Sequence, residues 1–302
     1  MRTSIDCIPC FMRQTLEAVR MVTDERAVHE EVIRKVLNAT ASMDFTLSPP
    51  QMGQTIHRLI REASGKEDPY YEIKKRCNHL ALDLYPELKK NLNSSSDRFE
   101  TSVRLAIAGN IIDFGVTGKL NENSIHTSIR ESLAQPLNKR AVEVLRDSIE
   151  VAKNILYIGD NAGEIVFDRI LIEEMPIEKV TFAVRGFPII NDATKDDAEE
   201  TGLSSLVEVI DNGSDVPGTV LKECSQEFRN YFAQSDLIIA KGQGNYETLS
   251  EECKNICYLF KAKCPVIAKD SGCNVGDMVI VNKRCAFKAQ SKKSCGVELV
   301  ER

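Results

Sequence analysis

The spacing of hydrophobic residues changes near residue 150, and this change constrains the fold more than any other feature of the 302-residue chain. Before that point, apolar residues recur every three to four positions, which predicts amphipathic helices. After it, short apolar and β-branched runs alternate with helical patterns, which is typical of buried parallel strands. We therefore expect an α/β fold: a three-layer α/β/α sandwich with a mainly parallel sheet, preceded by an all-helical region.

The same change divides the chain into two predicted parts. Residues 1–145 form an all-helical region, which could comprise two small helical subdomains, and residues 146–302 form an α/β/α domain that binds metal and phosphate. The helical patterns of the first part cover 8–22, 25–42, 50–64, 70–82, 84–91, 98–115 and 124–132, and a further one covers 136–150. The predicted strands are 154–159, 179–184, 206–210, 236–241, 264–269 and 278–283, with helices predicted at 163–175, 193–202, 216–233 and 245–257.

Charge and hydropathy exclude several classes of partner. The net charge of −6 leaves no basic footprint for nucleic acid over the chain as a whole. No apolar run approaches the roughly 20 residues that span a bilayer. The first residues contain no apolar signal core, so we expect a cytoplasmic protein whose ten cysteines are thiols rather than disulfides. The sequence does not indicate an oligomeric state.

Polar segments, most of them with glycine, follow five of the predicted strands. Ligands of open parallel sheets bind beyond the carboxyl ends of the strands, where these segments would meet. Asp160 and Asn161 follow the first strand, and Asp192 follows the second. Their oxygens suit a divalent cation, although Asp and Asn at these positions could instead cap helices. Glu164, one turn further along, either supports the same site or interacts with the helix dipole.

A second motif, Lys241-Gly-Gln-Gly-Asn, follows the fourth predicted strand. A glycine-rich segment before a helix can bind an anion through its backbone, and Lys241 would then neutralise a phosphate oxygen. A tight turn is the alternative. The motif is not a P-loop, because the lysine precedes the glycines. Lys261 is either a second cation of the site or a solvated lysine.

Asn110 and Asp113 interrupt a strongly apolar helix in the first part of the chain. They are three residues apart and therefore share a helix face. Either this face borders the cleft, or the helix ends here with Gly115 as its terminating residue.

Cys7 and Cys10 form a CxxC motif. The pair supplies two of the four ligands that a structural zinc site usually needs, so a second metal site would require partners such as Cys285 or Cys295. Buried thiols are the other interpretation. A thioredoxin-like role is disfavoured because no strand precedes the motif.

These motifs together resemble a known family. CIPC, AIAGNIIDFG, GDNAGEIVFD, IINDATKDDA, KGQGNYETL and LFKAKC occur in order over nearly the whole chain. They resemble the prokaryotic, CxxC-containing branch of the domain-of-unknown-function 89 family, also called damage-control phosphatases. The resemblance implies a helical N-terminal part and an α/β/α sandwich. It also implies hydrolysis of phosphate monoesters, including sugar phosphates and damaged phosphometabolites, with divalent Mg, Mn, Co or Ni as cofactor.

The resemblance also implies roles for individual residues. The motif matches give metal ligands at Asp160, Asn161 and Asp192, phosphate contacts at Lys241, Asn245 and Lys261, and residues lining the same cleft at Asn110 and Asp113. We count Asp160 and Lys241 as catalytic, and add Glu164 and Gly242 to the substrate-binding residues.

A metal-dependent phosphomonoesterase acting on a small phosphate ester is therefore our first hypothesis. The attacking group would be a metal-bound water or a carboxylate such as Asp160. A non-catalytic protein that binds metal or phosphometabolites is the alternative. A carboxyl methyltransferase using S-adenosylmethionine, an activity proposed for eukaryotic relatives, is disfavoured because no glycine-rich cofactor fingerprint follows the first strand.

Overall fold

The computed structural model describes residues 1–109, 112 and 122–283. Its first part is helical, as predicted. The helices that precede the sheet are α1 (Ile8–Val22), α2 (Arg26–Ala41), α3 (Pro49–Ser64), α4 (Tyr71–Asn93), α5 (Arg98–Ala108), α6 (Glu122–Ala134) and α7 (Lys139–Val151).

Strands and helices alternate in the second part. The elements in chain order are β1 (Ile155–Ile158), α8 (Glu164–Ile172), β2 (Val180–Val184), α9 (Lys195–Glu200), β3 (Glu208–Asp211), α10 (Gln226–Gln234), β4 (Leu237–Lys241), α11 (Gly242–Leu249), β5 (Ile256–Lys261), α12 (Pro265–Ser271) and β6 (Met278–Lys283).

The strands form one six-stranded sheet in the order β3-β2-β1-β4-β5-β6. β1 to β5 are parallel, and β6 is antiparallel to β5. Apolar helix faces cover both sides of the sheet: α5, α7 and α8 pack on one side, and α10, α11 and α12 on the other. The predicted fold class is confirmed. No helix in the described ranges is long and apolar enough to cross a membrane.

The described part of the helical region contains two hydrophobic clusters. α1, α2 and α3 share one cluster, and α4, α5 and α6 share a second cluster with α8. A boundary at residue 145 falls inside α7, and both α5 and α7 pack directly on the sheet. The division into 1–145 and 146–302 stays a prediction.

The predicted fifth strand, 264–269, is wrong. These residues form α12, and the fifth strand is Ile256–Lys261, inside and beyond a predicted helix. Pro265 occupies the first turn of α12, where its missing N–H costs nothing, and Gly272 ends the helix in the left-handed region. A short apolar run does not by itself distinguish a strand from a buried helix.

The two helices predicted at 70–82 and 84–91 are one continuous helix, α4, with Pro86 inside it. Proline removes a backbone donor and usually breaks a helix. Here Leu84, Leu88 and Leu92 are buried on both sides of the proline in the cluster shared with α5 and α8. Tertiary packing therefore overrides the local preference.

Because His57 is buried, we predict that the free energy of unfolding falls as the pH is lowered. It lies in α3 beside the Tyr70 hydroxyl, 3.0 Å from its Nδ1, and burial, helped by the charge of Arg61, lowers the pKa of its imidazole to about 3. Below about pH 6.5 the unfolded chain binds a proton here that the folded chain does not. The free energy of unfolding should therefore fall by about 1.4 kcal/mol per pH unit between pH 6 and 4 through this residue.

Urea denaturation at several pH values measures this term. His57→Gln should show a shallower loss of stability below pH 6.5 than the wild type. Tyr70→Phe is the matched control, because it removes the hydrogen bond but keeps the buried imidazole and should retain the steep loss. Parallel curves for His57→Gln and wild type would contradict the assignment.

Candidate active site

The site lies where the order of strands reverses. The chain runs from β1 outward to β3 on one side and from β4 outward to β6 on the other, so the crevice for a ligand is beyond the carboxyl ends of β1 and β4. Asp160 follows β1 and Gly242 follows β4. Gly242 has φ of 80°, and a Cβ there would overlap the Asp160 carboxylate. The two segments are therefore in direct contact.

Backbone hydrogen bonds join the segments that follow β1 and β2. The Ala193 N–H donates to the Asp160 carbonyl at 2.8 Å, and Asn161 and Asp192 form an isolated antiparallel bridge. The structure thus brings together all three predicted metal ligands. Ile190, two residues before Asp192, has φ of 46°, a strained conformation for a β-branched residue.

Asn161 lies between two acid side chains. Its Nδ2 donates to Asp160 Oδ2 at 3.0 Å and to Glu164 Oε2 at 3.1 Å. Because the amide nitrogen binds these carboxylates, the amide oxygen lies at the opposite end of the group. Burial and the neighbouring carboxylates of Glu164 and Asp192 raise the pKa of Asp160 well above its usual value.

Arg185, which follows β2 directly, is a site residue that the sequence analysis missed. Its Nε donates to Asp192 Oδ2 at 2.6 Å, and its Nη2 lies 3.6 Å from Asp160 Oδ1. The guanidinium lowers the pKa of Asp160 in opposition to the carboxylates. The sequence feature that indicates a site role for Arg185 is its position directly after a buried strand and next to the polar segment that carries Asp192.

Lys241 is completely buried rather than exposed to a cleft. Its Nζ donates to the Ala106 carbonyl at 2.7 Å, Glu164 Oε1 at 2.8 Å and Asp168 Oδ1 at 2.5 Å. Burial lowers the pKa of Lys241, but the charges of Asp168 and Glu164 outweigh burial and raise it. All three ammonium protons therefore have protein acceptors, and contact with phosphate would have to replace one of them.

Asp168 completes this buried network. Its Oδ1 also accepts a hydrogen bond from the Tyr157 hydroxyl at 2.8 Å. Burial raises the pKa of Asp168 to about 6, although the charge of Lys241 opposes the rise. The sequence motif included Asp168, but its spacing indicated no role.

Asn245 joins the ends of two strands. Its Nδ2 donates to the carbonyls of Gly159 at 3.1 Å and Lys241 at 2.6 Å, and its Oδ1 accepts from the Thr219 hydroxyl at 2.8 Å. Since Gly159 directly follows β1 and Lys241 ends β4, Asn245 fixes the spacing at the point where the strand order reverses. Its predicted contact with phosphate stays a prediction.

Lys261 and Lys263 lie at the rim of the site. Lys261, at the carboxyl end of β5, is half-buried, and Lys263 is exposed. The charge of Lys263 lowers the pKa of Asp160, which places this lysine within electrostatic reach of the site. The sequence analysis chose Lys261 alone. Asn110 and Asp113 lie outside the described residues.

Cys7 and Cys10 are half-buried at the start of α1. Burial raises the pKa of Cys7, and charges on Glu247, Cys264 and Cys10 add to this effect. Among the described residues, Cys264 is thus a further thiol within electrostatic reach of Cys7, whereas Cys285 and Cys295, which the sequence analysis suggested, lie outside the described residues. A metal site at Cys7 and Cys10 stays a prediction.

Comparison with known proteins assigns the chain to a family. The model of the damage-control phosphatase ARMT1-like domain matches residues 3–279. The chain belongs to this family. A protein of Archaeoglobus fulgidus named damage-control phosphatase is 35% identical over 92% of this chain and 98% of its own. A damage-control phosphatase of Pyrococcus horikoshii is 34% identical over 94% of this chain and 99% of its own.

A solved structure agrees with this assignment. The crystal structure of a domain-of-unknown-function 89 family protein from Pyrococcus horikoshii superposes with a TM-score of 0.85 at 33% identity, covering 93% of this chain and 99% of that chain. The resemblance inferred from the motifs is confirmed at the level of the family. Membership in it supports a phosphatase function, and hence a hydrolase.

Gly242 provides a test of the contact with Asp160. Gly242→Ala should displace the Asp160 carboxylate and lower kcat/KM for p-nitrophenyl phosphate by about 100-fold, because misplacement near the reacting groups is costly. Gly65→Ala is the matched control: Gly65 also has positive φ, 65°, but a Cβ there meets nothing within 4 Å. The control should lose about 1–2 kcal/mol of stability, the cost of a side chain in the left-handed region, and keep its activity. Equal effects of the two substitutions on activity would contradict the contact.

Proposed function

We propose that the protein is a metal-dependent phosphatase that hydrolyses small phosphate monoesters. The observation that carries this proposal is the cluster of acid side chains in the segments that follow β1 and β2, next to Lys241 at the end of β4. It supports a cation site at the place where open α/β sheets bind ligands.

The charges of this cluster do not balance within the protein. Asp160, Glu164, Asp168 and Asp192 are buried or nearly so, and in the described ranges the buried cations paired with them are Arg185 and Lys241. If all six are ionised, the formal charge is −2. An excess of buried negative charge is strongly unfavourable, and a divalent cation would supply two positive charges.

The donor set also fits such a cation chemically. Two carboxylates and one amide oxygen are hard ligands of the kind that Mg²⁺ and Mn²⁺ prefer and that Co²⁺ and Ni²⁺ accept. No group of three or more His, Cys, Asp or Glu side chains in the described ranges is arranged to hold a metal ion, so the amide of Asn161 is essential to this proposal. A bound cation would act as a Lewis acid toward a phosphoryl oxygen.

The remaining residues have separate roles in this proposal. Lys261 and Lys263, at the rim, offset the charge of the phosphate ester. Lys241 Nζ donates a hydrogen bond to Glu164 Oε1, and Glu164 Oε2 accepts one from the Asn161 amide. Lys241 therefore fixes the position of Glu164, and Glu164 fixes the orientation of the amide. This assignment makes Lys241 a positioning residue, whereas the family motif predicts that it contacts phosphate.

The substrate class follows from the family rather than from the geometry. We propose sugar phosphates or damaged phosphometabolites as substrates, as the motif resemblance implies; the relatives are named damage-control phosphatases. A panel of sugar phosphates would identify the preferred one once hydrolysis is established.

Metal dependence can be measured with p-nitrophenyl phosphate. Metal-stripped protein should be inactive, and Mg, Mn, Co or Ni should restore turnover. Asp160→Ala should lose most of the restored activity, because it removes a predicted ligand at the reacting centre. Asp211→Asn is the matched control, since Asp211 ends a neighbouring strand but pairs with Lys195 at 2.6 Å. The control should remain active.

The alternatives predict different results. A non-catalytic binding protein would take up metal but hydrolyse neither the test ester nor any sugar phosphate. A methyltransferase would bind S-adenosylmethionine in calorimetry. Full activity of Asp160→Ala would contradict the proposed site even if the protein is a phosphatase.

Lys241→Met tests the positioning role. The substitution leaves Glu164 and Asp168 without their buried cation, which should cost about 3–5 kcal/mol in the free energy of unfolding measured by urea. The double variant Lys241→Met/Asp168→Asn should lose less than the sum of the two single variants, because one buried charge is removed with its partner. A Lys241→Met protein of normal stability with a raised KM for the ester would instead indicate direct contact with phosphate.

A further inference from the structure

Arg185 is the largest fully buried side chain in the described residues, with 1% of its surface exposed. A buried guanidinium is rare unless it is paired, and it stays charged at any ordinary pH. Its position therefore needs an explanation that neither the family motifs nor the sequence analysis supplied.

The guanidinium reaches side chains that follow three adjacent strands. It donates to Asp192 after β2 at 2.6 Å, lies 3.6 Å from Asp160 after β1, and contacts Asn245 Oδ1 after β4 at 3.5 Å. Its donors form a rigid planar fork, so one side chain fixes the relative positions of these groups.

The backbone of the same residue is fixed as well. The Arg185 N–H donates to the Ala193 carbonyl at 2.9 Å, and Ala193 donates in turn to the Asp160 carbonyl at 2.8 Å. The residue is therefore held to the Asp192 segment by both backbone and side chain. A shift of Arg185 would move both predicted carboxylate ligands.

We propose that Arg185 is a positioning residue that sets the separation and orientation of Asp160 and Asp192 for a divalent cation. This inference rests on the proposed metal-dependent function. We assign Arg185 to positioning rather than to substrate contact, because its Nε and Nη2 contact protein groups of the site and only 1% of its surface is exposed, although Nη1 has no hydrogen-bond partner in the described residues.

Arg185→Lys tests this role directly. Lysine keeps the positive charge but cannot bridge two carboxylates with a planar fork. Titration calorimetry with Mn²⁺ should show a Kd for the metal that is raised about 10–100-fold, the effect typical of groups that orient metal ligands. At saturating Mn²⁺, KM for p-nitrophenyl phosphate and Ki for inorganic phosphate should stay near wild type.

Arg104→Lys is the matched control. Arg104 is a partly buried arginine, bonded to one carboxylate, Glu100, through Nε at 3.0 Å and Nη2 at 2.7 Å, and it lies on α5 outside the acid cluster. Its substitution should leave the Mn²⁺ affinity unchanged. Thermal unfolding of both variants establishes that they are folded under the conditions of the titration.

A double-mutant cycle separates a role through Asp192 from a general effect of Arg185→Lys on stability. Asp192→Asn removes the carboxylate that Arg185 orients. In this background, Arg185→Lys should therefore change the Mn²⁺ affinity much less than in the wild type. Equal effects in both backgrounds would overturn the role through Asp192.

Measurements on the wild type and on Arg185→Lys distinguish an error in the positioning role from an error in the proposed function. If wild-type protein binds no Mn²⁺ and hydrolyses no ester, the proposed function is wrong. If the wild type binds Mn²⁺ and Arg185→Lys binds it equally well, the positioning role is wrong. An unchanged Mn²⁺ affinity with a raised Ki for phosphate would show that Arg185 contacts the substrate instead.

Discussion

Repulsion among carboxylates is the constraint on which the arrangement of the site depends. Asp160, Asp192 and Glu164 come from two different crossover segments, and the fold places them together where water is largely excluded. Two buried cations offset this repulsion. Arg185 lies beside the carboxylates of Asp160 and Asp192, and Lys241 forms an ion pair with Glu164. Because each cation is itself buried, neither charge nor countercharge can be removed alone without a large cost. The segments after β1, β2 and β4 are thus joined by electrostatics as well as by backbone hydrogen bonds.

Much of this arrangement could be predicted from the sequence. The change in hydrophobic spacing indicated the helical region and the parallel sheet, because buried parallel strands and amphipathic helices have different periods. The convergence of Asp160, Asn161 and Asp192 followed from one topological rule, since residues that directly follow parallel strands must lie at the same edge. Such predictions need only local pattern and strand direction.

The remaining features depend on contacts between residues that are distant in the sequence. The buried position of Lys241 depends on a hydrogen bond to the Ala106 carbonyl, which lies 135 residues earlier in the chain. No residue close to Lys241 in the sequence indicates this acceptor. In the sequence, Arg185 is an ordinary charged residue at a strand end. Its role depends on Asp160 and Asp192, which come close to its side chain only in the folded protein. The wrong fifth strand has a different cause: the run after Cys264 is too short for its period to be read, and Pro265 favoured a helix start.

The helical region contributes directly to the core of the site, and this affects the order in which the chain can fold. Asn78 of α4 accepts a hydrogen bond from the Gly163 N–H at 2.7 Å, and α5 supplies the Ala106 acceptor of Lys241. During synthesis these helices leave the ribosome well before β1 and β4, so their apolar faces lack their partners until the sheet is made. Such non-local contacts slow folding and expose hydrophobic surface in the nascent chain. The acid cluster with its two buried cations therefore cannot be complete before β4 and Lys241 have been synthesised.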